Sequence, residues 1–298
     1  MEQLTQTTED LLTPDFLRKI ERLSLVAKRL FPGRLRGERR STKRGASVEF
    51  ADYRNYTVGD DFRRVDWNVY ARLEKLFLKL FVEEEDLHVY ILVDASESMS
   101  FGSPSKLLHA KRIAAALSYI ALSNLDRVGL AALTGTSAAT LSPKRGKPSA
   151  FGIFEWLKSI EPFGTTRLAE SLRDFSLRTS RPGVVIVASD FFDPDYQKGL
   201  AALLSRKFEV TALHVLDQDE VEPPLVGDLL MIDSETDERR EITITQTLLR
   251  KYDQRLAEFC GGLESYCNRY GVNYVRTTNQ SPFEDLILGY LRRRGMVK

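Results

Sequence analysis

Histidine and cysteine are scarce in this chain, and their scarcity narrows its chemistry. The three histidines, His88, His109 and His214, each lie in or beside a predicted strand or helix. None forms the His-Glu-x-x-His pattern of a zinc hydrolase. The two cysteines, Cys260 and Cys267, stand seven apart on one predicted helix. That is about 10 Å along its axis at 1.5 Å per residue, too far for a disulfide, so they read as reduced packing residues of a reducing compartment. No run approaches the roughly 18 to 20 apolar residues of a membrane-spanning helix. The polar, acidic start Met1–Asp10 lacks a secretory leader's basic and then apolar profile. A cytoplasmic location is the expectation. An excess of one charge is missing too: 43 basic against 42 acidic residues leave a net charge of +1. No global field therefore draws the chain to nucleic acid or a membrane surface. A phosphate loop is also lacking, because Gly102-Ser103-Pro104-Ser105-Lys106 has neither the spacing nor the second glycine of one. It reads as a loop leading into a helix.

Against these absences stands one informative stretch, His88-Val89-Tyr90-Ile91-Leu92-Val93-Asp94-Ala95-Ser96-Glu97-Ser98-Met99. A short β-branched, apolar run that ends in an acid and two spaced hydroxyls reads as a buried parallel strand delivering Asp94, Ser96 and Ser98 to its carboxyl end. Open α/β sheets bind ligands at that edge. Carboxylate and hydroxyl oxygens suit a hard divalent cation, Mg2+ or Mn2+, and offer nothing soft for zinc or copper.

One carboxylate cannot hold such an ion, so neighbouring strand ends should supply more oxygen. Phe163-Gly164-Thr165-Thr166-Arg167-Leu168 places hydroxyls in a loop before an amphipathic helix, and Val184-Val185-Ile186-Val187-Ala188-Ser189-Asp190 is a second apolar strand ending in an acid. With these segments the chain resembles the von Willebrand factor A fold and its metal-ion-dependent adhesion site, the Asp-x-Ser-x-Ser, Thr and Asp constellation. The resemblance implies that Ser96, Ser98 and Thr166 approach the metal through hydroxyls, and that Asp94 and Asp190 bind it directly or through water.

Catalytic alternatives at Asp94 fail on residue type. An aspartyl phosphatase would carry a second acid where Ser96 stands. A nucleophilic serine would need a neighbouring base, and the histidines form no pair with one. For a metal-assisted hydrolase or phosphotransferase, Asp193, Asp195 and Glu97 are the local candidates for a base.

Ahead of this region, Thr13-Pro14 opens a predicted helix over residues 13–31, and Pro32-Gly33 stops it. A basic run follows through Arg34, Arg36, Arg39, Arg40, Lys43 and Arg44. It could meet phosphates or anionic lipid, but dense acids downstream and the lack of aromatics within it favour a solvated or internally paired loop. Residues 48–72 then mix alternating charges with aromatics. Here the sequence resembles the DUF58 family of uncharacterised bacterial and archaeal proteins. The pieces are Glu49-Phe50, Arg54-Asn55-Tyr56, Gly59-Asp60-Asp61, Arg63, Asp66-Trp67 and Ala71-Arg72. Physically, these Arg and Asp residues can pair in a partly buried network that fixes the segment. The alternative reading makes Arg54, Asp60, Asp61, Arg63, Asp66, Trp67 and Arg72 a partner-binding surface.

Leu76–Val82 reads as a strand and Glu83–Asp86 as a solvated acidic turn. From Ser98 onward helix and strand alternate, which implies parallel pairing through crossovers. Helices are expected at 106–122, 151–160, 168–177, 196–204, 246–270 and 283–293, and strands at 128–133, 184–189, 210–215 and 272–275. A hairpin is inserted at about 217–245. The expected fold is α/β, a doubly wound, mostly parallel sheet of von Willebrand factor A-like, Rossmann type. It carries the inserted β-hairpin and an N-terminal helical and β extension. Residues 1–85 would hold the N-terminal helix, basic loop and signature segment, and residues 86–298 the A-like domain.

The expected function is a non-enzymatic, divalent-metal-dependent protein-binding module with no small-molecule substrate. Its partner would offer an acidic residue to complete the metal's shell. The family resemblance implies a MoxR-type AAA+ ATPase as that partner, in complex assembly or maturation.

Overall fold

The computed structural model describes residues 18, 49–82, 87–135, 137–165, 167–224, 227–232 and 239–291. The expected helix over 13–31, apart from Arg18, lies outside the described residues, as do the basic run, the 83–86 turn and Thr166. The chain divides into two compact units: of the described residues, 49–82 and Leu87 belong to the smaller, and Arg18 and those from His88 onward to the larger.

In the smaller unit, β1 (Glu49–Asn55) pairs antiparallel with β2 (Phe77–Val82). The charged signature between them is largely capping chemistry. Asp61 accepts from Arg63 N at 3.0 Å. Asp66 Oδ1 accepts from Asn68 N at 3.0 Å and Val69 N at 3.4 Å, opening α1 (Trp67–Leu73). Capping of this kind satisfies donors that the first helical turn leaves without partners. The Tyr53 hydroxyl donates to Asp66 Oδ2 at 2.8 Å, and Val65 bridges to Leu78, both buried.

The larger unit is built on a six-stranded sheet in the order β10-β7-β6-β3-β4-β5. Its strands are β3 (His88–Asp94), β4 (Arg127–Thr134), β5 (Ser137–Arg145), β6 (Val184–Ser189), β7 (Glu209–Leu216) and β10 (Asn273–Thr278). All neighbours pair parallel except β4 and β5. β3 and β6 are buried along their whole length, as continuous apolar runs covered on both faces should be.

Successive side chains point to opposite faces. Tyr90, Leu92, Val185, Val187, Val210 and Ala212 join one core cluster with Leu168, Leu172 and Phe175 of α4 (Leu168–Arg178). Leu200 and Leu203 of α5 (Tyr196–Ser205) and Leu263 of α7 (Gln246–Tyr270) complete it. On the other face, α2 (Lys106–Ser123) packs against β3 and β4, flanked by α3 (Ala150–Lys158) and α8 (Phe283–Leu291). The doubly wound parallel arrangement is the one expected.

In the smaller unit β1 and α1 were not expected as elements, and in the larger unit two elements differ from expectation. β5 was not foreseen; it is an antiparallel edge strand whose Ser-Ala-Ala-Thr-Leu-Ser-Pro composition gives no apolar run, and Pro143 is tolerable only where no ladder donor is needed. The segment at the start of the expected hairpin is instead a short helix, α6 (Gln218–Val221), closed by a reciprocal cap: Asp217 N donates to Glu220 Oε2 at 2.8 Å, and Asp219 N to Asp217 Oδ1 at 2.8 Å. The hairpin itself pairs β8 (Gly227–Ile232) with β9 (Arg239–Ile244). Cys260 and Cys267 are both free and buried on α7. No helix among the described residues is long and apolar enough to cross a membrane.

Candidate functional site

The carboxyl ends of β3 and β6 lie side by side in the middle of the sheet, so the residues that follow them meet although 92 positions separate Ser98 from Asp190. Asp94, Ser96 and Asp190 are each 3% exposed. Asp94 Oδ1 accepts from Ser96 N at 3.0 Å, and Asp94 Oδ2 accepts from Ser189 Oγ at 2.6 Å. The hydroxyls of Ser96 and Ser98 are 3.0 Å apart, and Ser98 Oγ donates to Asp190 Oδ2 at 3.1 Å. Four of the five expected positions are thus joined in one hydrogen-bonded group; the fifth, Thr166, lies outside the described residues. Its loop nevertheless reaches the site: Phe163 N donates to Ala95 O at 2.9 Å, and Glu97 N to Gly164 O at 2.8 Å.

Sequence reasoning missed the cation here. Lys106, 1% exposed at the first position of α2, donates to Asp190 Oδ2 at 2.9 Å and to Glu220 Oε1 at 2.6 Å. A lysine in a helix's first turn opposes the helix dipole. Lys106 directly before the apolar Leu107-Leu108 was therefore a readable sign that acids must lie nearby.

Burial holds the Asp94 carboxyl above its usual range, and the charge of Asp190 pushes it the same way. Burial would by itself lower Lys106, but Asp190 and Glu220 outweigh it and the net shift is upward. Burial likewise raises Glu220, against the pull of Lys106.

Phe191, next to Asp190, has φ 57 and is fully buried, its ring edge-on to Tyr196 and His214. A bulky residue with positive φ is a true outlier, costing on the order of 1–2 kcal/mol. Here it turns the chain sharply behind Asp190, and Phe192 N donates to Asp190 Oδ1 at 3.2 Å. Around this edge Phe101, Phe163 and Phe192 are 51%, 76% and 48% exposed, each on a loop that bonds directly to a site residue or its neighbour.

The donor set, carboxylates and hydroxyls, is of the kind a hard divalent ion takes. Among the described residues no three His, Cys, Asp or Glu side chains gather to hold a metal by themselves. The hydroxyls of Ser96 and Ser98 would have to contribute. The other signature residues lie in the smaller unit. Arg54 Nη2 pairs with Asp60 Oδ1 at 2.7 Å, and Asp60 Oδ2 accepts from Thr57 N at 2.8 Å and Thr57 Oγ1 at 2.7 Å. Asp61 and Asp66 are caps, while Arg63, Trp67 and Arg72 are exposed.

A mostly parallel α/β sheet whose central strand ends in Asp-x-Ser-x-Ser, beside a strand ending in Asp, is the arrangement expected of a von Willebrand factor A-like fold. The chain belongs to the DUF58 family, described as "Protein of unknown function DUF58", whose model matches residues 52–258. The "Uncharacterized protein Rv1480" of Mycobacterium tuberculosis is 28% identical over 245 residues, 80% of this chain and 77% of that one. The "Uncharacterized protein MAV169" of Mycobacterium avium is 42% identical over 69 residues, 23% of this chain and 40% of its own length. Among solved structures, the conserved hypothetical protein BatB from Bacteroides thetaiotaomicron is 17% identical, with 70% of this chain and 98% of that chain covered and a TM-score of 0.44. For the SpRpn10 VWA domain the values are 14%, 68%, 94% and 0.39.

Proposed function

We propose that this chain is a non-enzymatic protein-interaction module that uses a divalent cation, Mg2+ or Mn2+, to capture an acidic side chain of a partner protein. The observation that carries the reading is the convergence of Asp94, Ser96, Ser98 and Asp190 on the carboxyl edge of adjacent parallel strands. These four residues, with Thr166, would hold the ion. Bound there, the ion supplies a Lewis-acidic position that a partner's Asp or Glu completes. The chain's own part is to preset the oxygens. Ser189 fixes one oxygen of Asp94, Ser96 N the other, and the Phe191 turn fixes Asp190.

The exposed phenylalanines at the same edge add apolar area of the kind protein interfaces enrich. Two of the three candidate bases of an enzymatic reading are occupied: Asp193 accepts from Ala169 N at 3.3 Å and Asp195 N at 2.7 Å, and Asp195 pairs with Lys198 at 2.8 Å. On the resemblance to the DUF58 family the partner proposed is a MoxR-type AAA+ ATPase, and the free, buried Cys260 and Cys267 fit the cytoplasm as the place.

The test is Mn2+ binding by calorimetry, and capture of a purified MoxR-type ATPase with and without Mg2+. Wild type and Asp94→Ala/Ser96→Ala are compared. Loss of both in the variant and of capture in chelator is expected; unchanged capture in the variant and in chelator overturns the metal-bridged reading.

A further inference from the structure

Lys106 puts a fixed positive charge inside a site built of acids. Its ammonium is 84 residues in sequence from Asp190 and 114 from Glu220, yet bonds to both. Asp190 Oδ2 accepts at once from Lys106 Nζ and from Ser98 Oγ, which uses the lone pairs that a second cation would need. Two positive centres sharing one carboxylate oxygen would repel strongly at this burial.

Glu220 offers the ammonium a second seat. Its other oxygen is anchored on Asp217 N, so Oε1 is held facing Lys106.

We propose that Lys106 is the resident counter-ion of the site and competes with the divalent cation for Asp190. Its ammonium neutralises Asp190 in the metal-free protein and yields that oxygen to an incoming ion by turning wholly onto Glu220. The inference rests on the metal reading above and adds the regulation of that site: Asp190 keeps a cationic partner without metal, and the ion is held more weakly than its oxygens alone would allow.

The experiment measures Mn2+ affinity by calorimetry and metal-free melting temperature on the full chain for wild type, Lys106→Met and Glu220→Gln. Lys106→Met should bind Mn2+ about 5- to 150-fold tighter, the usual range for coupling between two ligands. It should melt lower than wild type without metal and recover when Mn2+ is added. Glu220→Gln, which leaves the ammonium only Asp190, should bind Mn2+ more weakly than wild type, and it carries the test should Lys106→Met not fold. In a Mn2+-loaded crystal structure the Lys106 to Asp190 separation should exceed 4 Å, the limit of an ion pair. Equal or weaker Mn2+ binding in Lys106→Met, or an unbroken Lys106–Asp190 contact in the loaded structure, overturns the competition and leaves the metal reading standing. Absence of Mn2+ binding in wild type and both variants overturns the metal reading itself, and the competition falls with it.

Discussion

Ser189 donates its hydroxyl to Asp94 Oδ2 at 2.6 Å, and the same oxygen of Ser189 accepts from Phe191 N at 2.9 Å. One serine at the end of β6 thus steadies the acid that ends β3 and the turn that presents Asp190. Ser189→Ala removes a partner from a carboxylate that burial already disfavours. Stability in urea at pH 7 should fall by about 1–3 kcal/mol. An unchanged midpoint would show that the bond contributes nothing.

In the smaller unit, Asp66→Ala removes the cap of α1 and a partner of the Tyr53 hydroxyl. The expected cost is about 1–2 kcal/mol. Hydrogen exchange reads it locally: the amides of Asn68 and Val69 should lose protection, while amides of β3 and β6 keep theirs.

Two glycine substitutions should act in opposite directions. A Cβ on Gly183 would sit 2.2 Å from the His88 carbonyl oxygen, whereas one on Gly152, exposed on α3, meets nothing within 4 Å. Gly183→Ala should destabilise by about 1–3 kcal/mol and Gly152→Ala should stabilise by roughly 0.5–1 kcal/mol. Denaturant midpoints of the two variants check the pair, and a tolerated Gly183→Ala would refute the close approach of its loop to β3.

Burial pulls His109 and His214 down to about 4, with the charge of Arg112 adding to the effect at His109. Between about pH 6.5 and 4 the unfolded chain therefore binds more protons at these positions than the native one, so stability rises with pH. Their contribution is whole above about pH 6.5 and is lost as pH falls through 4, on the order of 2–4 kcal/mol for each histidine. Denaturation midpoints across that window should fall less steeply in His109→Gln than in wild type; parallel curves would count against the buried neutral imidazole.

The strands that carry the site were legible because Val-Tyr-Ile-Leu-Val and Val-Val-Ile-Val-Ala are short, apolar and β-branched and end in turn-forming polar residues, which favours a doubly covered strand over a helix. Their terminal acids could be named for the same reason. What stayed hidden depends on the tertiary structure. β5 is held by its partner β4, not by its own residues, and no local pattern announces a Ser-Thr-Pro edge. Glu220 belongs to no motif of the sequence, and its role exists only because α6 brings it to Lys106. In the signature segment, alternating charge suggested a partly buried ionic network, and Arg54 with Asp60 forms such a pair. Asp61 and Asp66 are instead spent on main-chain amides a few residues away.

The position of β3 between β4 and β6 has a bearing on how the chain reaches its native state. β3 pairs with β6 across almost a hundred residues that include α2, β4, β5, α3 and α4. Such distant parallel pairing is slow, because loop closure comes before any contact rewards it. Asp94 and Asp190 become neighbours only at that late step, so a nascent or truncated chain ending before β6 presents no binding edge. On the proposed function, capture of a partner would require that β3 and β6 have already paired.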